Sequence, residues 1–258
     1  MNDKMTKPKL LIATPAYGGV VTTRYMHGIY QTLMGLEHDG LVSGMQVYTL
    51  DSESLISRAR DRCAMYALEH GFDKLLFIYS DMRWTYEMVR RLLLSGREII
   101  GGTYPLKGFP ITLNFNPLLI HAEDFNRNRQ YDDYVRFIEK HADASGLVEV
   151  RHVPTGFLMI DCHVLNELAK HRLVEQYSSF DTISRTVKDF FSFFPVRVKD
   201  LILESEDWAF CSIARDAGFK VWLDTQCVTD HTGSHTYAIG QHEIICGQRP
   251  LLPSGGRK

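Results

Sequence analysis

The regular pattern of the chain begins at Lys9, where Leu10-Leu11-Ile12-Ala13 make a short continuous apolar run. A run of that length, bounded by turn residues, predicts a buried strand. Pro15-Ala16-Tyr17-Gly18-Gly19 supplies the turn. Tyr25, Ile29, Leu33 and Leu36 then recur near one face of a helix over 23–36, and the alternation over 43–50 predicts a second strand. Asp51-Ser52-Glu53-Ser54 is expected to cap a helix that runs to His70, with Gly71 as its stop. Residues 74–79 read as a third strand, 85–95 as a third helix and 98–102 as a fourth short strand. This β-α-β-α-β-α-β order predicts an α/β fold with an open, mostly parallel central sheet flanked by helices. Ligands of such sheets bind at the carboxyl ends of the strands. Pro15-Ala16-Tyr17, Asp51 and Ser80-Asp81 all fall there.

The second half is less regular. Residues 111–115 and 118–121 read as strands, and 122–144 as a charged, turn-rich stretch. Strands over 148–153 and 157–160 flank Pro154-Thr155-Gly156. Helices are expected over 162–171 and 204–217, the second closed by Gly218, and short strands over 220–223 and 226–229. The aromatic run Phe190-Phe191-Ser192-Phe193-Phe194 is assigned to the core. The expected organisation is one domain over 1–232, with a tail over 233–258 that covers or extends the site.

Composition adds exclusions. The chain has 258 residues, 45% hydrophobic and 23% charged, enough for a sizeable core. A formal net charge of −2 forces neither a nucleic-acid nor an anionic-membrane partner. Cys63, Cys162, Cys211, Cys227 and Cys246 form no CxxC pair and are odd in number, so reduced, mostly buried thiols are expected rather than disulfides or structural zinc. No stretch reaches the roughly 20 apolar residues of a spanning helix, and the N-terminal run is too short for a signal segment. The expected location is the cytoplasm.

Four clusters carry candidate chemistry. Asp81, delivered by a buried strand, fits either a ligand of a hard divalent cation or the cap of the helix at Thr85. Glu206 and Asp207 open a helix whose apolar contacts come from Trp208, Phe210 and Ile213; first-turn carboxylates also suit the helix dipole alone. His231 follows Asp230 at a strand end and is a candidate metal ligand, with His235 a weaker one. Arg58 and Arg62 share one face of the second helix, with Arg60 and Asp61 on others; they fit a solvated face or an arginine held near phosphates.

Taken in order, these stretches resemble the GT-A family of nucleotide-sugar-dependent glycosyltransferases. The likeness runs roughly from Lys9 to His231. "LLIATPAYGG" resembles the first strand and nucleotide turn. "SLISRARDRCAMYALEHGFDKLLFIYSDMRW" resembles the approach to the DxD motif, and "IIGGTYPLK" the strand beyond it. "VPTGFLMID" resembles the acceptor-side glycine loop, "ESEDWAFCSIARDAGFKVWLD" the xED helix, and "TDHTG" the C-terminal metal-binding histidine. One departure stands out: the first aspartate of a DxD motif would fall at position 79, which is Tyr79.

The resemblance implies a GT-A type, Rossmann-like sheet with a smaller acceptor-side β region, residues 1–104 holding the nucleotide sugar and 105–232 the acceptor. It implies transfer of a sugar from a nucleoside-diphosphate sugar, UDP-sugar favoured, to an acceptor hydroxyl. Mn²⁺, or Mg²⁺, would be held by Asp81 and His231. Pro15, Ala16, Tyr17, Arg58, Ser80 and Asp81 would bind the donor. Asp207 would act as general base if the transfer inverts the anomeric centre, or position the acceptor or stabilise charge if it retains, with Glu206 beside it. Lys107, Gly156 and Trp208 would line the acceptor side; Lys107 equally fits a solvated lysine. The short chain has the look of phage and bacterial glycosyltransferases, whose acceptors are glycans, lipids, proteins or hydroxymethylated DNA bases. Two rival functions are a sugar-phosphate nucleotidyltransferase, for which "TPAYGGVVTTR" is a poor triphosphate loop, and a non-catalytic nucleotide-sugar-binding protein, which Tyr79 keeps open. The absence of GxGxxG disfavours a dehydrogenase.

Overall fold

The computed structural model describes residues 7–51, 53–108, 112–118, 131–181, 184–233 and 236–237. The second strand-like run of the sequence reading, 118–121, lies almost wholly outside them, as do His235, Cys246 and most of the tail from 233.

The first half follows the expected alternation. Strand β1 (Lys9–Pro15) is followed by α1 (Thr23–Asp39), β2 (Gly44–Leu50), α2 (Ile56–Glu69), β3 (Lys74–Ile78), the two-residue β4 (Met82–Arg83), α3 (Tyr86–Leu94) and β5 (Ile99–Thr103). β1 pairs in parallel with β2 on one side and β3 on the other. Leu10 and Ile12 enter the core beneath α1 and α3, while Leu11 and Ala13 enter the core beneath α2. That two-residue alternation puts a helix layer on each face. Gly28 lets α1 approach the turn between β4 and α3 closely: a Cβ there would lie 2.8 Å from the Trp84 ring.

One local expectation changes. The expected cap at 51–54 is not formed as such: Leu55 is the N-cap of α2 and makes no side-chain capping bond. Glu53 instead accepts the Leu55 N–H at 3.1 Å and binds Arg58. In the sheet β5 is not a neighbour of β3, because a strand from the second half lies between them.

The second half contributes β6 (Asn116–Pro117), α4 (Tyr131–His141), β7 (Leu147–His152), β8 (Phe157–Asp161), α5 (Cys162–Lys170), β9 (Gln176–Asp181), β10 (Thr186–Phe191), β11 (Arg197–Lys199), β12 (Ile202–Glu204), α6 (Glu206–Asp216), β13 (Val221–Val228), β14 (Asp230–Thr232) and β15 (Thr236–Tyr237). The main sheet has eight strands in the order β2-β1-β3-β8-β5-β13-β7-β6. Six point one way; β7 and β8 run against them. The two short strands expected over 220–229 are one strand, β13, with a register shift between Leu223 and Val228. The stretch expected to be turn-rich holds α4, whose Tyr134, Phe137 and Ile138 are buried at helical spacing. Phe190, Phe193 and Phe194 are buried as expected, beside the β9–β10 hairpin. Cys63, Cys162, Cys211 and Cys227 are free and buried. Among the described residues no helix is long and apolar enough to cross a membrane.

Candidate functional site

The carboxyl ends of β1, β2, β3, β5 and β13 share one edge of the sheet, and the chain leaves each in a turn. After β1, Ala16 donates its N–H to Leu50 O (2.8 Å) and Gly19 closes back onto Ala16 O (2.7 Å). This fixes the Pro15-Ala16-Tyr17 turn against the end of β2 and leaves the Tyr17 ring 68% exposed. After β3, Tyr79 donates its N–H to Gly156 O (3.0 Å), and Ser80 O accepts from Thr22 (2.9 Å).

Asp81 is held from both sides. Its backbone carbonyl accepts from Thr232 N–H (2.9 Å), and β4 pairs with β14 so that His231 stands opposite Met82. The small sheet β15-β14-β4 therefore brings His231 to Asp81, with Nε2 3.5 Å from Oδ2. His231 Nδ1 lies 3.1 Å from Pro105 O. A carbonyl only accepts, so Nδ1 carries the proton, and in the neutral ring Nε2 presents its lone pair to the carboxylate. The Lys107 ammonium sits 2.5 Å from the same Asp81 oxygen. Burial pushes the Asp81 carboxyl up, but His231, which donates from Nε2 when its ring is protonated, and Lys107 outweigh it and hold it below the usual aspartate value.

A carboxylate oxygen and an imidazole lone pair turned toward each other, with the far ring nitrogen fixed by a backbone carbonyl, are a donor pair suited to a divalent cation such as Mn²⁺. Among the described residues, no third His, Cys, Asp or Glu completes a metal cluster.

A second cluster lies deeper. Arg60, on α2, is fully buried, and its guanidinium bonds Glu206 Oε1 (2.5 Å) and the Tyr79 hydroxyl. Burial opposes its charge, yet Tyr79, Glu206 and Asp207 around it keep it cationic. Asp207 is also buried. Its Oδ1 accepts from Trp208 N–H (2.9 Å) and from the Ser205 hydroxyl, and no hydrogen bond reaches Oδ2 among the described residues. Burial pushes the Asp207 carboxyl above the ordinary aspartate value, and the Arg60 charge does not cancel that rise. The two clusters join through aromatic rings: Tyr104 lies 5.0 Å from the His231 ring and 6.2 Å from Tyr79.

The structure thus brings Ser80, Asp81, Lys107 and His231 together, and Glu206 and Asp207 together beside them. Gly156 lies between the groups for a packing reason: a Cβ there would stand 2.7 Å from Tyr104 and 2.8 Å from Tyr79, so it is required by the two rings. Trp208 stacks on His152 with ring centroids 5.0 Å apart and planes 2° from parallel. Arg58 is committed to Glu53 by two bonds of 2.6 and 2.7 Å. The arginine that reaches the site is Arg60, which the sequence reading set apart on another face. It was detectable: Ala59, Arg60, Cys63, Ala64 and Ala67 form one apolar stripe with an arginine inside it. Tyr79 is marked in the sequence only as the departure from the DxD motif, and Tyr104 carries no such signal.

Neither a protein-family model nor a curated protein matches the chain. Solved structures do. A197 from STIV aligns with a TM-score of 0.49 at 15% identity over 87% of this chain and 86% of that one. GalNAc-T7, crystallised with UDP, GalNAc and Mn²⁺, aligns with a TM-score of 0.49 at 8% identity over 89% of this chain but only 44% of its own length. A glycosyltransferase involved in glycosylation of the major capsid of PBCV-1 aligns with a TM-score of 0.31 at 12% identity over 64% of each chain.

Proposed function

We propose that this chain is a GT-A type glycosyltransferase that takes a sugar from a nucleoside-diphosphate donor, UDP-sugar favoured, and passes it to an acceptor hydroxyl. The observation that carries the reading is the meeting of Asp81 and His231 at the carboxyl edge of the sheet, beside a buried Asp207 with a raised pKa. Residues 1–104 form the donor half. Tyr17, exposed on the β1 turn, offers a ring face to a nucleobase. Pro15, Ala16 and Ser80 line the same edge.

Asp81 and His231 would hold Mn²⁺ or Mg²⁺, with diphosphate and water oxygens as further ligands; the bound ion would neutralise charge on the departing diphosphate. Asp207 accepts the proton of the acceptor hydroxyl in a transfer with inversion. Its raised pKa makes it a better base than a solvent-exposed aspartate, and a base of this kind contributes about 10²–10⁴ in rate. Arg60 ties Glu206 down next to it, so the carboxylate pair keeps one geometry. Trp208, stacked on His152, supplies a flat wall on the acceptor side.

The test is a panel of UDP-, GDP-, dTDP- and CMP-sugars, with and without Mn²⁺, scored by release of the free sugar. The expected result is metal-dependent hydrolysis of one donor, lost in Asp81→Ala and lowered about 10²–10⁴-fold in Asp207→Asn. Hydrolysis of none of the donors, with thermal stabilisation by one of them, would replace this reading by the non-catalytic binding protein.

A further inference from the structure

The Asp81 carboxylate already has a cation. Oδ2 receives the Lys107 ammonium at 2.5 Å and faces His231 Nε2 at 3.5 Å. With Nδ1 of His231 donating to Pro105 O, the ring in its neutral form turns a lone pair on the negative oxygen, and a positive charge beside the two acceptors offsets their repulsion. Lys107 supplies that charge from the same short segment that orients the histidine.

The segment is anchored, but the side chain is not. Pro105 forms a bridge with Leu113, Leu106 donates its N–H to Thr112 O (2.9 Å), and Gly108 donates to Leu106 O (2.8 Å). The Lys107 side chain is 41% exposed. A half-exposed lysine pair is weakly held, and the ammonium rides on a flexible four-carbon stem that re-aims without moving the backbone. The contrast with Arg60, fully buried and bonded to two partners, is direct.

We propose that Lys107 is a placeholder cation: it occupies Asp81 in the donor-free protein, gives the carboxylate up to the divalent cation that arrives with a nucleoside diphosphate, and turns its ammonium onto a diphosphate oxygen. The proposal rests on the reading of Asp81 and His231 as metal ligands, and its test separates the two.

Mn²⁺ is titrated into donor-free protein and the free ion is read by electron paramagnetic resonance, for the wild type and for Lys107→Met, Lys107→Arg and Asp81→Ala. Lys107→Met is expected to bind Mn²⁺ roughly 2- to 5-fold more tightly, the strength of a half-exposed ion pair no longer in competition. Lys107→Arg keeps the cation and stays near the wild type, and Asp81→Ala binds most weakly. At saturating Mn²⁺ the order reverses for UDP, which binds Lys107→Met roughly 10-fold more weakly. Equal Mn²⁺ affinity in the wild type and Lys107→Met, with Asp81→Ala weaker than both, overturns the placeholder and leaves the metal ligands standing. Equal affinity in the wild type and Asp81→Ala overturns the metal-ligand reading and the placeholder with it. Unchanged or tighter UDP binding by Lys107→Met overturns the transfer of the ammonium to the diphosphate.

Discussion

Two carboxylates of the site each face one cation, and the two pairs are built in opposite ways. Glu206 meets Arg60, whose side chain is fully buried, comes from the middle of α2 and bonds a second partner, Tyr79. Asp81 meets Lys107, a half-exposed side chain from a loop. A buried guanidinium with two bonds does not leave, because leaving strands a charge out of water. A half-exposed ammonium leaves at little cost, since water replaces its partner. The first pair fixes the geometry around Asp207, and the second keeps the Asp81 site filled yet open to exchange.

The largest expected effect comes from breaking the locked pair. Arg60→Met leaves Glu206 and the Tyr79 hydroxyl without their buried donor and should destabilise the fold by about 3–5 kcal/mol, read from urea unfolding. A loss under about 1 kcal/mol would mean the guanidinium is not the lock.

The neighbouring Asp61 sharpens the contrast, because it is buried and makes no direct ion pair among the described residues. Its oxygens accept from Phe194 N–H (3.0 Å) and the Tyr177 hydroxyl (3.1 Å), and burial still pushes its pKa up to about 7. A carboxyl raised in the folded state makes the fold most stable below the unfolded value. Stability is then lost as pH rises from about 4 towards 7 and is level above that. The expected swing is on the order of 2–4 kcal/mol, and Asp61→Asn should remove most of it in denaturation curves taken across that range. A wild-type slope that survives in Asp61→Asn belongs to other groups.

Tyr79→Phe is a finer cut. It removes only the second partner of Arg60 and should cost about 1–3 kcal/mol in stability while Mn²⁺ affinity holds. If Tyr79 merely completes the strand, the cost will be a few tenths. Smallest of all, Lys107→Met should change stability by less than about 1 kcal/mol, although it alters what Asp81 binds.

How much of this was legible in the sequence follows the range of the forces involved. The elements of the first half were readable because an apolar run such as Leu75-Leu76-Phe77-Ile78 and a turn such as that after Pro15 are local signals. The insertion of β8 between β3 and β5 was not, since antiparallel pairing of Leu75 with Ile160 joins distant segments. Helix α4 was hidden by its charge: Asp132, Asp133, Arg136, Glu139 and Lys140 obscure the buried Tyr134, Phe137 and Ile138. Asp81, Asp207 and His231 are legible as candidates because each stands at an element boundary, where ligands of such sheets gather. Arg58 and Arg60 look alike as arginines; only the small residues Ala59, Cys63, Ala64 and Ala67 around Arg60 mark it as the buried one. That Lys107 points at Asp81 is decided by how residues 105–108 are held against 112–113, which the one-dimensional pattern does not contain.

The central claim, a metal-assisted nucleoside-diphosphate site at the carboxyl edge of the sheet, is tested most directly by calorimetric titration of UDP into the wild type and Asp81→Ala, each with and without Mn²⁺. The account predicts that the wild type binds UDP at least about 10-fold more tightly with Mn²⁺ than without, and that Asp81→Ala loses this gain. A UDP affinity that is the same in all four titrations would contradict it.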